Sequence, residues 1–276
     1  MASDYREHLD AASLQLLAET TGFASKDNER QVFASRPHDI RVALGSPEAA
    51  RLLDLRHRNN PGKHRLLQIA VAVHQTAEDI CQAGWSASNE SAVDLRLLSF
   101  SGQSLNQQFI VGLLTSYLSS PAPAEFAEEL TAPVSACNAE RFHSLIDLCG
   151  SASATERAGA LRLLGDEALF TAGMFPAVAH ETGVDADMME SLTSVLPKAV
   201  LALIDELEPQ LRSLLDVYLM FGPVWYRMAA QNLLFSKTRE SLDSVATDFV
   251  SARRFIVQVS QGSLANIKHS LFPEII

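Results

Sequence analysis

A histidine and a carboxylate four residues apart are the first candidates for chemistry in this sequence. His74 and Glu78 lie in the segment 63–83, whose apolar residues cover most of a helix circumference between Leu66 and Val73. Residues at this spacing share one face of a helix, so we expect the two side chains to point towards the core together. Inward imidazoles and carboxylates are typical of metal sites in helical bundles, whereas a lone buried histidine usually hydrogen-bonds to its neighbours.

A second cluster of titratable groups lies in the sequence HETGVDADMME, residues 180–190. His180 and Glu181 could complete a metal or cofactor site with the first pair, which would belong to a metal- or cofactor-dependent enzyme. The spacing matches no calcium-binding loop. The aspartates that follow have a simpler interpretation, because acids at the start of a helix complement the positive end of its dipole. No particular metal or cofactor is indicated.

Basic side chains gather between two predicted helices, in the segment 51–65. Arg56, Arg58 and Arg65 lie around an Asn-Asn-Pro-Gly turn, where arginine side chains and free backbone N–H groups could bind a small anionic ligand or a protein partner. A plain solvated face is the alternative. The formal net charge of the whole chain is −11, which argues against nucleic-acid binding.

Aromatic residues concentrate around a proline in the second half of the chain. Tyr218 and Trp225 form either the packing centre of that half or the wall of a binding site. With three upstream residues they could enclose a pocket for an apolar small molecule, which makes a carrier a further hypothesis. The upstream residues are Phe170, Met174 and Phe175.

Glycine and proline punctuate the helical pattern of the second half. Gly165 stands inside a predicted helix, which indicates close approach by a neighbouring helix or by a ligand. Within the segment 185–236 we expect three successive helical pieces, because proline is tolerated best in the first turn of a helix. Their starts are predicted near Pro197, Pro209 and Pro223.

Helical periodicity dominates the chain, and strand patterns are scarce. We predict an all-α, bundle-like fold of about ten helices joined mostly by short loops. The best strand candidate is the alternation of Val93, Leu95 and Leu97 within 84–101.

Proline-rich chain near residues 121–133 is the best candidate for a boundary. It would separate an N-terminal helical half, 1–120, from a C-terminal helical half, 121–276. One continuous domain is the alternative.

Composition indicates a folded, soluble, cytoplasmic protein. Of the 276 residues, 47% are hydrophobic and 20% are charged, which is ordinary for globular proteins. Three scattered cysteines form no disulfide framework and fit a reducing compartment. The N-terminus lacks the pattern of a secretory signal, and no apolar run is long enough to cross a membrane.

The common local signatures of nucleotide, hydrolase and zinc chemistry are missing from the sequence. Our first hypothesis is therefore a helical binding or regulatory protein that acts through a protein partner surface or an anionic ligand. The second is the metal- or cofactor-dependent enzyme, and the third is the apolar carrier.

Overall fold

The chain is all-α over the residues that the computed structural model describes, which confirms the predicted fold class. The described residues are 9–23, 33–57, 64–86, 94–118, 139–201, 211–233 and 237–272. Within these ranges the one β feature is an isolated bridge between Gly183 and Ser213. No helix in the described ranges is both long and apolar enough to cross a lipid bilayer.

The helices of the first part of the chain are α1 Ala11–Thr21, α2 Pro37–Leu44, a 3₁₀ helix Ala49–His57, α3 Arg65–Ser86, α4 Leu95–Gly102 and α5 Ser104–Ser116. Those that follow are α6 Ala139–Ser151, α7 Ala154–Met174, α8 Pro176–Glu181, α9 Ala186–Ser194 and α10 Lys198–Leu201. The last are α11 Leu214–Gln231, α12 Lys237–Thr247, α13 Phe249–Gln261 and α14 Lys268–Leu271.

The chain folds as two compact units. The first comprises Met1–Ser119 and Arg254–Pro273, and the second comprises Ser120–Arg253 and Glu274–Ile276. Helix α13 therefore begins in the second unit and ends in the first. The division proposed from the sequence placed all of 121–276 in one half, whereas residues 254–273 of that half belong to the first unit.

The first unit is organised around α3, which contacts α1, α2, the 3₁₀ helix, α4 and α5. Every side chain from Leu67 to Val73 is buried. Apolar residues around most of the helix circumference predict this burial. Gln75 fixes the end of α2 against this helix, because its Nε2 donates hydrogen bonds to the carbonyl oxygens of Leu44, at 3.2 Å, and Ser46, at 2.7 Å.

The prediction of a strand around Leu95 is wrong, because helix α4 begins at this residue. One carboxylate oxygen of Asp94 accepts hydrogen bonds from the backbone N–H groups of Arg96 and Leu97, each at 3.1 Å. Such a cap stabilises a helix start by about 1 kcal/mol. The helix buries Leu97 and leaves Leu95 72% exposed, so the apparent alternation reflects a helix edge. Val93 lies outside the described residues.

The second unit is centred on α7 and α11, which pack along each other. Helix α6 packs on α7, and α8 and α12 pack on α11. The predicted start near Pro197 is confirmed, since α10 follows it directly. Pro209 lies outside the described residues.

The predicted break near Pro223 is wrong, because α11 continues through this proline. An internal proline costs about 3 kcal/mol through a lost hydrogen bond and a clash with the preceding turn. On either side of it, Phe221, Trp225 and Tyr226 are all buried. Each large side chain contributes roughly 1.5–3 kcal/mol on burial, so a continuous helix that buries all three outweighs the cost of the proline.

Close helix packing at Gly165 is confirmed. Helix α7 runs through this glycine without interruption, and a Cβ atom added there would lie 2.6 Å from Cδ1 of Tyr226 on α11. Only a residue without a side chain lets the ring come so close. The glycine therefore serves contact between the two central helices of this unit.

Candidate functional site

An open groove runs along one face of α3 within the first unit. Its volume is about 650 Å³, within the range of roughly 300–1,000 Å³ that is usual for small-molecule sites. One wall is a stripe of α3 whose members recur at i, i+3, i+4, i+7 and i+8 and so share a face. These residues are Thr76, Asp79, Ile80, Ala83 and Gly84.

The other walls come from the start of α4 and the end of α13. Asp94 and Leu97 line the groove from the first, and Gln258, Gly262 and Ser263 line it from the second. We call the space enclosed by these three walls the α3 groove.

A hydrogen bond between two hydroxyl groups joins the end of α13 to α3. The hydroxyl oxygens of Thr76 and Ser263 lie 3.1 Å apart, within hydrogen-bond distance. The N–H of Gly262 donates to the carbonyl oxygen of Gln258 at 2.8 Å, which closes the last turn of α13. Small residues such as Ala83 and Gly84 leave the space between the walls open.

Among the described residues that line the α3 groove, the two charged ones are both acidic. Asp94 is fully engaged, because one carboxylate oxygen caps α4 and the other accepts a hydrogen bond from Nη1 of Arg254. The backbone hydrogen bond from Leu97, aided by Arg254, holds the pKa of this carboxyl below its usual value, so it is ionised.

Asp79 is the second acid of the groove, and its surroundings are different. Its side chain is exposed, and it makes no hydrogen bond or ion pair with any residue in the described ranges. The α3 groove therefore combines one carboxylate that is already paired with one that is available to a ligand.

No pattern in the sequence predicts the α3 groove. The stripe on α3 contains a hydroxyl, an acid and apolar residues. This composition is ordinary at the border between the buried and exposed faces of a helix, so it indicates no binding site. A run of small residues at helical spacing, Thr76, Ala83 and Gly84, was the available signal. Its meaning depends on α13, which no local pattern places beside it.

The predicted pair of His74 and Glu78 does not point into the core together, so this prediction is wrong. His74 is 3% exposed, whereas Glu78 is exposed and lies beside Gly45 at the end of α2. Burial, together with the positive charge of Arg41, lowers the pKa of His74 to about 3. The helix face that carries His74 and Glu78 therefore changes from buried to exposed within one helical turn.

The other two predicted metal ligands, His180 and Glu181, are exposed at the end of α8 in the second unit. Across the described ranges, no group of three or more histidine, cysteine, aspartate or glutamate side chains is placed to hold a metal ion. A metal or cofactor shared by the two histidine–glutamate pairs stays a prediction.

The basic segment predicted to bind an anion or a partner is described only in part. The side chain of Arg56 and the whole of Arg58 lie outside the described residues. Arg65 is half-buried at the first position of α3. Binding of an anionic ligand or a protein partner there stays a prediction.

Tyr218 and Trp225 are buried in the second unit, where they pack in its core. Their rings lie 5.7 and 5.9 Å from the ring of Phe142, measured between centroids. The three upstream residues of the predicted carrier pocket, Phe170, Met174 and Phe175, are buried as well. Tyr218 and Trp225 therefore belong to the packing centre of the second unit, which is one of the two roles that the sequence allowed for them.

A buried carboxylate on α7 also escaped the sequence analysis. Asp166 accepts a 2.8 Å hydrogen bond from the hydroxyl of Tyr226, and Nε of Arg162 lies 3.5 Å from its other oxygen. Burial raises the pKa of this carboxyl despite both partners. An acid directly after Gly165 in a mostly apolar helix was the signal, since that position faces the crossing helix.

We expect Tyr226→Phe to lower the free energy of unfolding by about 1–3 kcal/mol. The change leaves one oxygen of the buried Asp166 carboxylate without its donor, which costs more than the hydrogen bond itself contributes. Urea unfolding of this variant, of Asp166→Asn and of the double variant would measure the coupling. A coupling below about 0.5 kcal/mol would show that the two groups act independently.

Comparison of the chain with protein-family models, curated proteins and solved structures gives no match.

Proposed function

We propose that this protein is a binding or regulatory protein that recognises a small molecule in the α3 groove. The cavity of about 650 Å³ within one compact unit is the observation that carries the proposal. A mostly apolar lining with a few polar groups is the usual construction of a small-molecule site, and the described lining of this groove has both.

The side chains of the α3 groove support binding in preference to catalysis. Its hydroxyl groups, on Thr76 and Ser263, lie within hydrogen-bond distance of each other, and Asp94 is held by the start of α4 and by Arg254. The described lining contains no histidine, cysteine or lysine beside a hydroxyl, the pairing that activates a nucleophile. These groups can orient a ligand without reacting with it.

We place this binding in a reducing cytoplasm. Cys81 and Cys149 are both free thiols, which supports such a compartment. A ligand-controlled interaction with another protein would fit a regulatory role.

A bulky residue inside the groove tests the proposal. Ala83 is exposed and lines the groove, so Ala83→Trp should fill the ligand space without disturbing the core. We expect neutral apolar fragments, followed by ligand-observed NMR, to bind the wild type and to bind this variant at least about tenfold more weakly.

Gln82→Trp is the matched control, because Gln82 is the adjacent exposed residue of α3 and does not line the groove. It adds the same indole to the same helix and should leave fragment binding unchanged. Fragments that bind all three proteins equally, or none of them, would refute the proposal.

A further inference from the structure

We infer that the ligand of the α3 groove is a small organic monocation, a protonated amine or guanidinium group attached to an apolar body. This inference rests on the proposed function, since it specifies the ligand class of the same groove. It follows from the charges around the groove and from the apolar surface between them.

The charges of the described groove residues favour a ligand with one positive charge. The described residues that line the groove carry two carboxylates, on Asp79 and Asp94, and no basic group. Arg254 is paired with Asp94 and offsets its charge. The carboxylate of Asp79, which has no partner among the described residues, therefore leaves about one negative charge that a ligand can match, and a second carboxylate or a phosphate would meet repulsion there.

Hydrogen-bond acceptors are also available for the donors of such a cation. The carboxylate of Asp79 and the amide of Gln258 make no side-chain hydrogen bond within the described ranges. The C-terminal end of α13, which forms one wall, adds the negative end of a helix dipole. Charge-assisted hydrogen bonds to a carboxylate are roughly twice as strong as neutral ones, so Asp79 is the anchor that we assign.

The rest of the groove is suited to an apolar body. Ile80, Ala83 and Leu97 line the groove with hydrocarbon surface. A bare inorganic cation would leave this surface in water, whereas an alkyl or aryl amine would cover it. The combination of the Asp79 carboxylate and an apolar wall therefore selects an amphipathic cation.

The test uses one scaffold with three head groups: phenethylamine, its neutral analogue phenethyl alcohol and its anionic analogue hydrocinnamate. We expect titrations by NMR or calorimetry to show that the wild type binds the amine about tenfold or more tightly than the alcohol, with the anion weakest. In Asp79→Asn the preference for the amine over the alcohol should fall to within about twofold.

Glu78→Gln is the matched control, because it removes the neighbouring exposed carboxylate of α3, which lies beside Gly45 and does not line the groove. This variant should keep the preference for the amine. A wild type that binds amine and alcohol equally, or that binds no amine saturably, would overturn the inference. A preference that survives in Asp79→Asn would overturn the assignment of the anchor.

Failure of the inference is distinguishable from failure of the proposed function. Neutral fragments that Ala83→Trp displaces, with no preference for an amine, would show that the groove binds small molecules without selecting cations. Loss of both effects would remove the proposed function together with the inference.

Discussion

Gly165→Ala should destabilise the protein by about 2–3 kcal/mol, although alanine is the better helix former. In a helix interior that exchange alone is favourable by up to about 1 kcal/mol. At this position the new methyl carbon would lie 2.6–2.9 Å from three ring carbons of Tyr226. Tyr226 is fully buried and its hydroxyl is bonded to Asp166, so the ring cannot move aside without breaking that bond.

Gly159→Ala provides the control on the same helix. Gly159 is exposed, and a Cβ atom there would meet no neighbour within 4 Å. We expect this variant to be stabilised by about 0.5–1 kcal/mol, so the two changes should have opposite signs. Urea unfolding at one pH would measure the stability of both variants. A Gly165→Ala protein as stable as the wild type would contradict the close packing of α7 against α11.

The fold class could be predicted because it depends on local periodicity. Apolar residues cover most of the circumference of α3 between Leu66 and Val73, and the structure buries this part of the helix at the centre of the first unit. The end of α7 was also predictable, because the residue before Pro176 is driven out of the helical region and the helix ends at Met174. These features follow from the residues themselves and need no distant partner.

The errors occur where distant packing overrides a local rule. Pro223 is a helix breaker by itself, yet the burial of aromatic residues on both sides keeps α11 continuous. The alternation near Leu95 suggests a strand, yet the Asp94 cap and the burial of Leu97 on one face select a helix. In each case the deciding contribution is made by residues that periodicity does not place next to each other.

The candidate site could not be predicted, because its walls are distant in the sequence. Thr76 and Ser263, whose hydroxyl groups meet at the groove, are 187 positions apart. Asp79 and Glu78 are adjacent acids on one helix, and only the position of α13 shows that the first lines the groove. Spacing from His74 singles out Glu78 in the sequence, whereas Asp79 is the acid that lines the groove.

His74 illustrates the same limit and leads to a measurable pH dependence. Its burial was expected from its place on α3, but the depth of burial and the nearby charge of Arg41 were not. Together they lower its pKa to about 3, far below the ordinary value of about 6.5. The native protein therefore keeps this imidazole neutral over a range in which the unfolded chain protonates it.

We expect acid to destabilise the wild type through His74. Between about pH 6.5 and pH 3 the unfolded state binds one more proton at this residue, so stability falls as the pH falls, by up to about 1.4 kcal/mol per unit. Asp166 acts in the opposite direction, because burial raises the pKa of its carboxyl and the native state binds that proton first. The contribution of His74 must therefore be isolated with a variant.

In His74→Gln, urea unfolding between pH 7 and pH 4.5 should show a loss of stability that is about 2–3 kcal/mol smaller than in the wild type. The comparison concerns the slope, so any constant cost of the substitution cancels. His180→Gln makes the same replacement at an exposed position, so it is the matched control and should keep the wild-type slope. Parallel curves for the wild type and His74→Gln would contradict the deep burial of His74, and with it the position of α3 at the centre of the first unit.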